Sequence, residues 1–172
     1  MQALALICPL DISPTDRRWI EGVRGRHDPQ HGRVEAHFTL VFPVQGLTEA
    51  VMVERALAAA ATTPAIGFRL NAARAVADAF SPRTHLFLMP DQGEAAIRAL
   101  HDGLYQGGLA ASLRADIPYA PHVTVGAFDE LADAEAVRAA MGRFEIEGRL
   151  RALQLMSVDG GEIRLLRAFP LG

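Results

Sequence analysis

Apolar and polar residues alternate in two short segments, and both segments have the order His, any residue, Thr, apolar residue. The two segments are residues 36–41 (AHFTLV) and 121–126 (PHVTVG). Because a strand sends alternate side chains to opposite faces, we expect His37 and Thr39 to share one face. His122 and Thr124 are expected to share a face in the same way. In both segments, the apolar residues that alternate with the histidine and the threonine should face a core.

The other apolar patterns predict alternating strands and helices. Strands are predicted over residues 3–8, 34–42 (stopped by Pro43), 66–70, 86–90, 144–158 and 163–169, with a hairpin turn at 159–161. Helices are predicted from Ser13-Pro14, from Thr48 to about Ala61, from a capping box of Asp91 and Glu94 to Gly107-Gly108, and over Leu131–Met141. The polar residues from Gly25 to Gly32 predict a mobile loop.

The predicted elements follow the same order twice: strand, helix, His-x-Thr strand, helix, strand. The sequence interval between the two histidines is similar to the interval between Pro9 and Pro90, the two prolines that close the opening strands. We therefore predict a single domain, residues 1–172, of two intertwined lobes with approximate repeat units 1–80 and 81–172. A pseudo-two-fold axis between the units would bring the two His-x-Thr strands together.

Length and composition favour a soluble protein of one domain or of two intimately packed lobes. The chain has 172 residues, half of them hydrophobic, and no apolar run approaches the ~20 residues of a membrane helix. Its first residues lack a basic segment and are too short for a signal peptide, so we expect a cytoplasmic monomer. The single cysteine, Cys8, excludes an intrachain disulfide and a cysteine-based zinc site.

All 17 basic residues are arginines, which excludes any mechanism that needs a lysine, such as a Schiff base or a P-loop. The net charge of −3 gives no general attraction to nucleic acid. Residues 17–33 are locally basic, however, and Arg24, Arg26 and Arg33 are candidates for phosphate contacts. A solvated helix and loop would account for the same arginines.

The paired His-x-Thr segments suggest chemistry at phosphorus. An imidazole has an ordinary pKa of ~6.5, so one histidine can accept a proton while the other donates one near neutral pH. Two threonine hydroxyls can donate hydrogen bonds to phosphoryl oxygens. His37 and His122 are therefore the candidate acid and base, Thr39 and Thr124 are the candidate phosphate ligands, and no metal is required.

Two alternative roles for these histidines stay open. A single histidine in an apolar strand is often a core residue with satisfied hydrogen bonds, although two matching pairs make this role less favoured. Alternatively, His37 and His122 could bind a metal, but zinc usually needs three protein ligands. His27 and His31 are four residues apart, yet they lie in a segment that contains proline and glycine.

The segments HFTLVFP (37–43) and PYAPHVTVG (118–126) resemble the paired motifs of the two-histidine (2H) phosphoesterase superfamily, in particular its 2'-5' RNA ligase-like branch. The resemblance extends over nearly the whole chain. It implies a bilobal α+β fold with two antiparallel sheets around a central cleft. It also implies metal-independent opening of 2',3'-cyclic phosphate ends of RNA or nucleotides to a 2'-phosphate, in some members with reversible 2'-5' ligation.

Carried over to this chain, the resemblance makes His37 the general acid and His122 the general base, with Thr39 and Thr124 holding the phosphate. Tyr119 stands where relatives often carry an aromatic residue, and it could either stack on a base or pack against the sheet. The chain also departs from the pattern. Many relatives carry a basic residue shortly after the second motif, where this chain has Gly126-Ala127-Phe128.

The expected ligand is a short RNA or a nucleotide with a cyclic phosphate, without a cofactor or an inferable protein partner. One alternative is a small-molecule phosphodiesterase that acts on a cyclic nucleotide or an ADP-ribose cyclic phosphate. Another is a catalytically silent module that binds RNA or nucleotides. The presence of both histidines and both threonines argues against the silent module.

Overall fold

The computed structural model describes residues 2–78 and 81–172. The strands are β1 (Ala3–Pro9), β2 (Asp11–Ile12), β3 (His37–Gln45), β4 (Ile66–Ala77), β5 (Thr84–Gln92), β6 (Val123–Phe128), β7 (Ile146–Leu150), β8 (Ala152–Asp159) and β9 (Glu162–Pro170). The helices are α1 (Pro14–His27), α2 (Glu49–Thr62), α3 (Glu94–Leu104) and α4 (Leu131–Met141), with a short 3₁₀ helix at Gly107–Ser112.

The strands form one antiparallel sheet in the order β2-β7-β4-β5-β6-β3-β1-β8-β9. The helices cover one face of this sheet, and their apolar residues join those of the strands in one core cluster. The opposite side, which we call the open face, carries the half-buried His37, Thr39, His122 and Thr124. The α+β fold class expected from the sequence is confirmed.

The sheet has two halves that meet at its centre, between β3 and β6. The register between these two strands contains one pair, Phe38 opposite Val123. By contrast, β5 pairs with β6 over Thr84–Leu88, and β1 pairs with β3 over Ala3–Pro9. The two expected sheets are therefore joined at one short seam, and the two His-x-Thr strands lie next to each other there.

Two boundaries differ from the prediction because of local interactions. Helix α1 continues to His27 and includes the first three residues of the predicted loop Gly25 to Gly32, because Arg24 bonds to Glu21 and Asp28 and ties its last turn together. Strand β3 continues past Pro43 to Gln45. Its register with β1 shifts in this region, and a proline is tolerated at such an irregularity.

The predicted start of α3 and the predicted strand 144–158 were also wrong. Asp91 does not cap α3, because its carboxylate binds Arg69 and Asn71 instead. The N-cap is Gly93, with a φ of 85°, where a Cβ would lie 2.3 Å from the carbonyl oxygen of Gly67. The predicted strand is divided at Arg151 into β7 and β8, which lie in different halves of the sheet.

Three further predictions are confirmed. Helix α4 runs over Leu131–Met141, Thr48 caps α2 through a bond from the Val51 amide, and Ile66, Phe68 and Leu70 are all buried. The duplication into units 1–80 and 81–172 stays a prediction, and residues 79 and 80 at its boundary lie outside the described residues. Within the described ranges, no helix is long and apolar enough to cross a membrane.

Candidate active site

The alternation predicted for the two motif strands is confirmed. Phe38, Leu40, Val123 and Val125 are fully buried in the core. The intervening histidines and threonines are half-buried on the open face. The seam between β3 and β6 therefore brings the two imidazole–hydroxyl pairs to one place, although they are far apart in the sequence.

Both histidines are held by the same hydrogen bond. The Nδ1 atom of His37 lies 2.7 Å from the carbonyl oxygen of Glu35, and Nδ1 of His122 lies 2.7 Å from that of Ala120. A carbonyl oxygen only accepts, so each Nδ1 must carry the proton. Each Nε2 is then left to accept a proton when the ring is neutral and to donate one when it is charged.

Burial is the largest influence on both imidazoles, and it lowers the pKa of each below the usual 6.5. For His37, the Glu35 carbonyl raises the pKa, the positive charge of Arg24 lowers it, and the negative charge of Asp28 raises it. For His122, the Ala120 carbonyl raises the pKa, whereas His85 and His37 both lower it. At His37 the effect of Arg24 is larger than that of Asp28, so the neighbouring charges lower the pKa of both imidazoles.

His122 has a second support that the sequence did not reveal. Its ring is stacked on Phe87 of β5, with ring centroids 3.8 Å apart and planes 26° from parallel. Phe87 in turn contacts the edge of His85, at 5.9 Å between centroids. His85 lies 3.9 Å from a carboxylate oxygen of Asp78. The second motif is therefore packed into a row of rings that fixes the orientation of His122.

Thr39 and Thr124 place their hydroxyls beside the two histidines. Within residues 2–78 and 81–172, neither hydroxyl makes a hydrogen bond with the protein. Both side chains are half-buried on the open face. Both hydroxyls are therefore free to donate to an oxyanion between the two strands.

Tyr119 is held by the protein on several sides. Its hydroxyl donates to the carbonyl oxygen of Thr39 at 2.9 Å, and its ring is stacked on His101 with centroids 3.8 Å apart. The guanidinium of Arg98 donates to the Tyr119 carbonyl. Of the two roles weighed for this residue, packing against the fold is the one that this placement favours. Through its hydroxyl it ties the loop before the second motif to the first motif strand.

Arg24 is placed as a structural residue. Its side chain is only 1% exposed and bonds to Asp28 at 2.8 Å, Glu21 at 2.9 Å and the Val34 carbonyl at 2.8 Å. A guanidinium with these three partners cannot also bind a substrate. The expectation that Arg24 contacts phosphate therefore does not fit its position, and its charge reaches the site only through its effect on His37.

Arg26 and Arg33 lie at two different places on the protein surface. Arg33 is exposed and bonds to the Gly161 carbonyl in the β8–β9 turn at 3.1 Å. Arg26 is exposed and has no ion-pair partner in the described part of the chain. It lines a surface cavity of about 290 Å³ together with Arg83 and Ala127, so it borders the region that follows the second motif.

The described residues contain no cluster of three or more His, Cys, Asp or Glu side chains that could hold a metal ion. His27, one of the two residues considered for such a site, instead packs against Phe128 at 5.3 Å between ring centroids. His31 lies 3.3 Å from Glu21. The lone Cys8 is buried in the core, and burial raises the pKa of its thiol well above the usual range.

The fold and the pair of His-x-Thr strands are the arrangement expected for the two-histidine phosphoesterase superfamily. The model of the 2'-5' RNA ligase superfamily matches residues 12–162, and the chain belongs to this superfamily. Membership supports a phosphoesterase or RNA ligase-like enzyme activity. No curated protein sequence matches the chain.

Solved structures agree with this assignment over the full length. TT0787 of Thermus thermophilus is 18% identical, with 98% of this chain and 97% of that chain covered and a TM-score of 0.64. E. coli LigT complexed with 3'-AMP is 21% identical, with 99% and 98% covered and a TM-score of 0.57. Kluyveromyces marxianus Usb1 is 13% identical, with 98% of both chains covered and a TM-score of 0.57. At these identities the matches establish the fold.

Proposed function

We propose that this protein is a metal-independent phosphoesterase that opens 2',3'-cyclic phosphate ends of RNA or nucleotides to a 2'-phosphate. The observation that carries the proposal is the matched pair of histidines at the seam. Each has its Nδ1 bonded to a carbonyl and its Nε2 available for proton transfer. Ring opening at phosphorus needs one base and one acid, and this arrangement supplies both.

In the proposed step, Nε2 of His122 removes a proton from a water molecule whose oxygen attacks the phosphorus atom. The bond between phosphorus and the 3'-oxygen breaks, and Nε2 of His37 donates its proton to that oxygen. The phosphate stays on the 2'-oxygen. The hydroxyls of Thr39 and Thr124 stabilise the charge that develops on the non-bridging oxygens. With a 5'-hydroxyl in place of water, the same step would form a 2'-5' phosphodiester.

The assignment of acid and base follows the resemblance to the two-histidine superfamily. The neighbouring charges do not distinguish the two imidazoles, because Arg24 outweighs Asp28 at His37, and His85 and His37 lower the pKa of His122. In this assignment the neutral base is His122 and the protonated acid is His37. Because burial lowers both pKa values, we expect a bell-shaped pH dependence of kcat/KM with its maximum below pH 6.5.

Arg26 stays a proposed substrate contact, since it is exposed, unpaired in the described residues and close to the end of the second motif. We do not propose a substrate contact for Arg24 or Tyr119, whose hydrogen bonds hold the fold together. Arg33 precedes His37 by four residues, but its guanidinium bonds to the β8–β9 turn. A contact from Arg33 would need a substrate that extends across the first half of the sheet.

The test uses a short RNA that ends in a 2',3'-cyclic phosphate, incubated in EDTA with the wild type, His37→Ala, His122→Ala and His31→Ala. His31 is an exposed histidine in the loop after α1 and serves as the matched control. Chromatography identifies the position of the product phosphate. We expect a 2'-phosphate from the wild type and His31→Ala, and a loss of ~10²–10⁴ in rate in each of the other variants.

Several results would contradict the proposal. Activity that disappears in EDTA and returns with zinc would replace the acid–base mechanism with a metal-dependent one. Turnover of a small cyclic nucleotide but not of the RNA would identify a small-molecule phosphodiesterase. Nucleotide binding without turnover of either substrate would identify a binding module.

A further inference from the structure

One row of residues runs across three strands of the open face, next to the second motif. In the β5–β6 register Phe87 lies opposite Thr124, and in the β4–β5 register Phe87 lies opposite Arg74. Directly opposed residues on antiparallel strands point to the same face. Arg74, Phe87 and Thr124 therefore form a line on the open face, with the Phe87 ring in the middle.

No described residue neutralises the charge of Arg74. It is exposed and has no hydrogen bond or ion pair with any residue in the described ranges. The other arginine of β4, Arg69, differs in this respect. It bonds to Asp91 through two nitrogens and lies 3.8 Å from Glu145. An unpaired cation on a protein surface attracts anionic ligands.

On the side of β4 away from β5, Arg74 has no neighbouring strand among the described residues. Strand β7 pairs with β4 only over Ile66–Leu70, so no strand in the described sheet flanks β4 at Arg74. A ligand that enters from this side reaches Arg74 first and then Phe87. The seam with its two histidines lies beyond Phe87.

We propose that Arg74 binds a second phosphate of the substrate, on the 5' side of the nucleoside that carries the cyclic phosphate. This inference rests on the proposed function and narrows its substrate class. The preferred substrate is a 5'-phosphorylated nucleoside 2',3'-cyclic phosphate or an oligonucleotide, because both carry a phosphate at that position. Bidentate binding of phosphate is the characteristic use of arginine.

The position of Phe87 explains why the second phosphate, and not the reacting one, is assigned to Arg74. The reacting phosphate lies between the two His-x-Thr pairs in the proposed mechanism. Cross-strand neighbours are ~4.5–5.5 Å apart, so the Cβ atoms of Arg74 and Thr124 are separated by about 10 Å. The ring of Phe87, stacked on His122, stands between them.

The kinetic test compares adenosine 2',3'-cyclic phosphate with its 5'-phosphorylated form, which differ by one phosphate. The measured quantity is the ratio of their kcat/KM values. We expect the wild type to prefer the 5'-phosphorylated substrate by about 10- to 100-fold, the worth of a hydrogen bond to a charged group. Arg74→Ala should reduce this ratio to about 1, and Arg74→Lys should restore part of it.

Arg149→Ala is the matched control. Arg149 is an exposed arginine on β7, opposite Gly67 of β4, and seven residues of strand separate this position from Arg74. At ~3.3 Å per residue this distance is roughly 20 Å. The variant should keep the wild-type ratio. A wild-type ratio near 1, or an equal loss on both substrates in Arg74→Ala, would overturn the inference while leaving the proposed function intact.

A binding measurement separates the inference from the proposed function. Calorimetry would compare adenosine 2'-phosphate with adenosine 2',5'-bisphosphate, the two expected products, in the wild type and in Arg74→Lys and Arg74→Ala. Tighter binding of the bisphosphate that depends on Arg74 supports the subsite even if the wild type turns over neither substrate. Equal affinities in the wild type would contradict it.

Discussion

The two motif strands have the same backbone arrangement but different surroundings. In both, a carbonyl two residues before the histidine accepts from Nδ1 at 2.7 Å. The His122 ring is stacked on Phe87, whereas His37 is influenced by the buried Arg24 and by Asp28. The two imidazoles are therefore oriented by the same backbone hydrogen bond. They differ in the side chains that surround them.

This difference shows how one motif can serve two roles in a single reaction. The acid and the base both need an Nε2 atom that is directed at the substrate, but they need opposite protonation states. The hydrogen bond from Nδ1 to the backbone leaves Nε2 available at both positions. The groups that set the two pKa values differ: at His37 the effect of Arg24 opposes that of Asp28, whereas at His122 both His85 and His37 lower the pKa.

The largest expected effect tests the assignment of acid and base directly. In a substrate whose 3'-oxygen is replaced by sulfur, the leaving thiolate needs no proton, because a thiol has a pKa of ~8.5. His37→Ala, which loses ~10²–10⁴ in kcat on the oxygen substrate, should lose no more than ~10-fold on the sulfur substrate. His122→Ala should stay impaired on both, as measured by single-turnover kinetics. Rescue of His122→Ala alone would reverse the two roles.

The next effect compares the two hydroxyls. Thr39→Val and Thr124→Val keep the shape of the side chain and remove one oxyanion donor each, so we expect losses of up to ~10²–10³ in kcat with little change in KM. Thr15→Val, at an exposed position in α1, is the control. A change in KM alone, in either strand, would indicate that the hydroxyl binds the ground state and the transition state equally.

A smaller effect is expected from a change of Phe87, whose ring is stacked on His122 and not on His37. Phe87→Leu removes the stack on His122 and admits water, so the pKa of His122 should rise toward 6.5 while that of His37 changes less. Loss of an aromatic contact predicts a decrease of about 2- to 10-fold in rate. NMR titration of both imidazoles checks the shift. Equal shifts at both positions would show that Phe87 acts on the site as a whole.

The smallest expected effect is that of the two histidines on the pH dependence of the free energy of unfolding. Because burial lowers the pKa of each histidine, the unfolded chain binds more protons than the folded one between the lowered value and 6.5. The free energy of unfolding should therefore be at its full value above pH 6.5 and decrease as the pH falls below it. His37→Gln and His122→Gln should each flatten this dependence, because each removes one imidazole whose pKa is lowered by folding. Denaturant titrations at pH 5 and pH 7 measure the difference.

The parts of the site that depend on strand periodicity could be predicted from the sequence. Alternation alone placed His37 and Thr39 on one face and Phe38 in the core, because a side-chain period of two is a property of any strand. The caps and apolar stripes located α4 and the start of α2. These signals are local, so they are present in the sequence itself.

The contacts between strands could not be predicted in this way. The contact of Phe87 with His122 depends on the β5–β6 register, which shifts between Leu86 and Phe87. The position of Arg74 opposite Phe87 depends on the β4–β5 register, which shifts between Leu70 and Ala72. One such irregularity moves every following residue to another partner. The buried role of Arg24 was missed for a similar reason, since its third partner is the Val34 carbonyl, ten residues further along the chain.

The short seam between β3 and β6 has a consequence for local unfolding. Because the register of these strands contains only the pair of Phe38 and Val123, few ladder hydrogen bonds couple the two halves of the described sheet. The bond from the Tyr119 hydroxyl to Thr39 is an additional tie across the seam. Amide hydrogen exchange should therefore detect two cooperative units, with the motif residues at their common boundary. The spacing of the two histidines is then controlled by the part of the sheet that opens most easily.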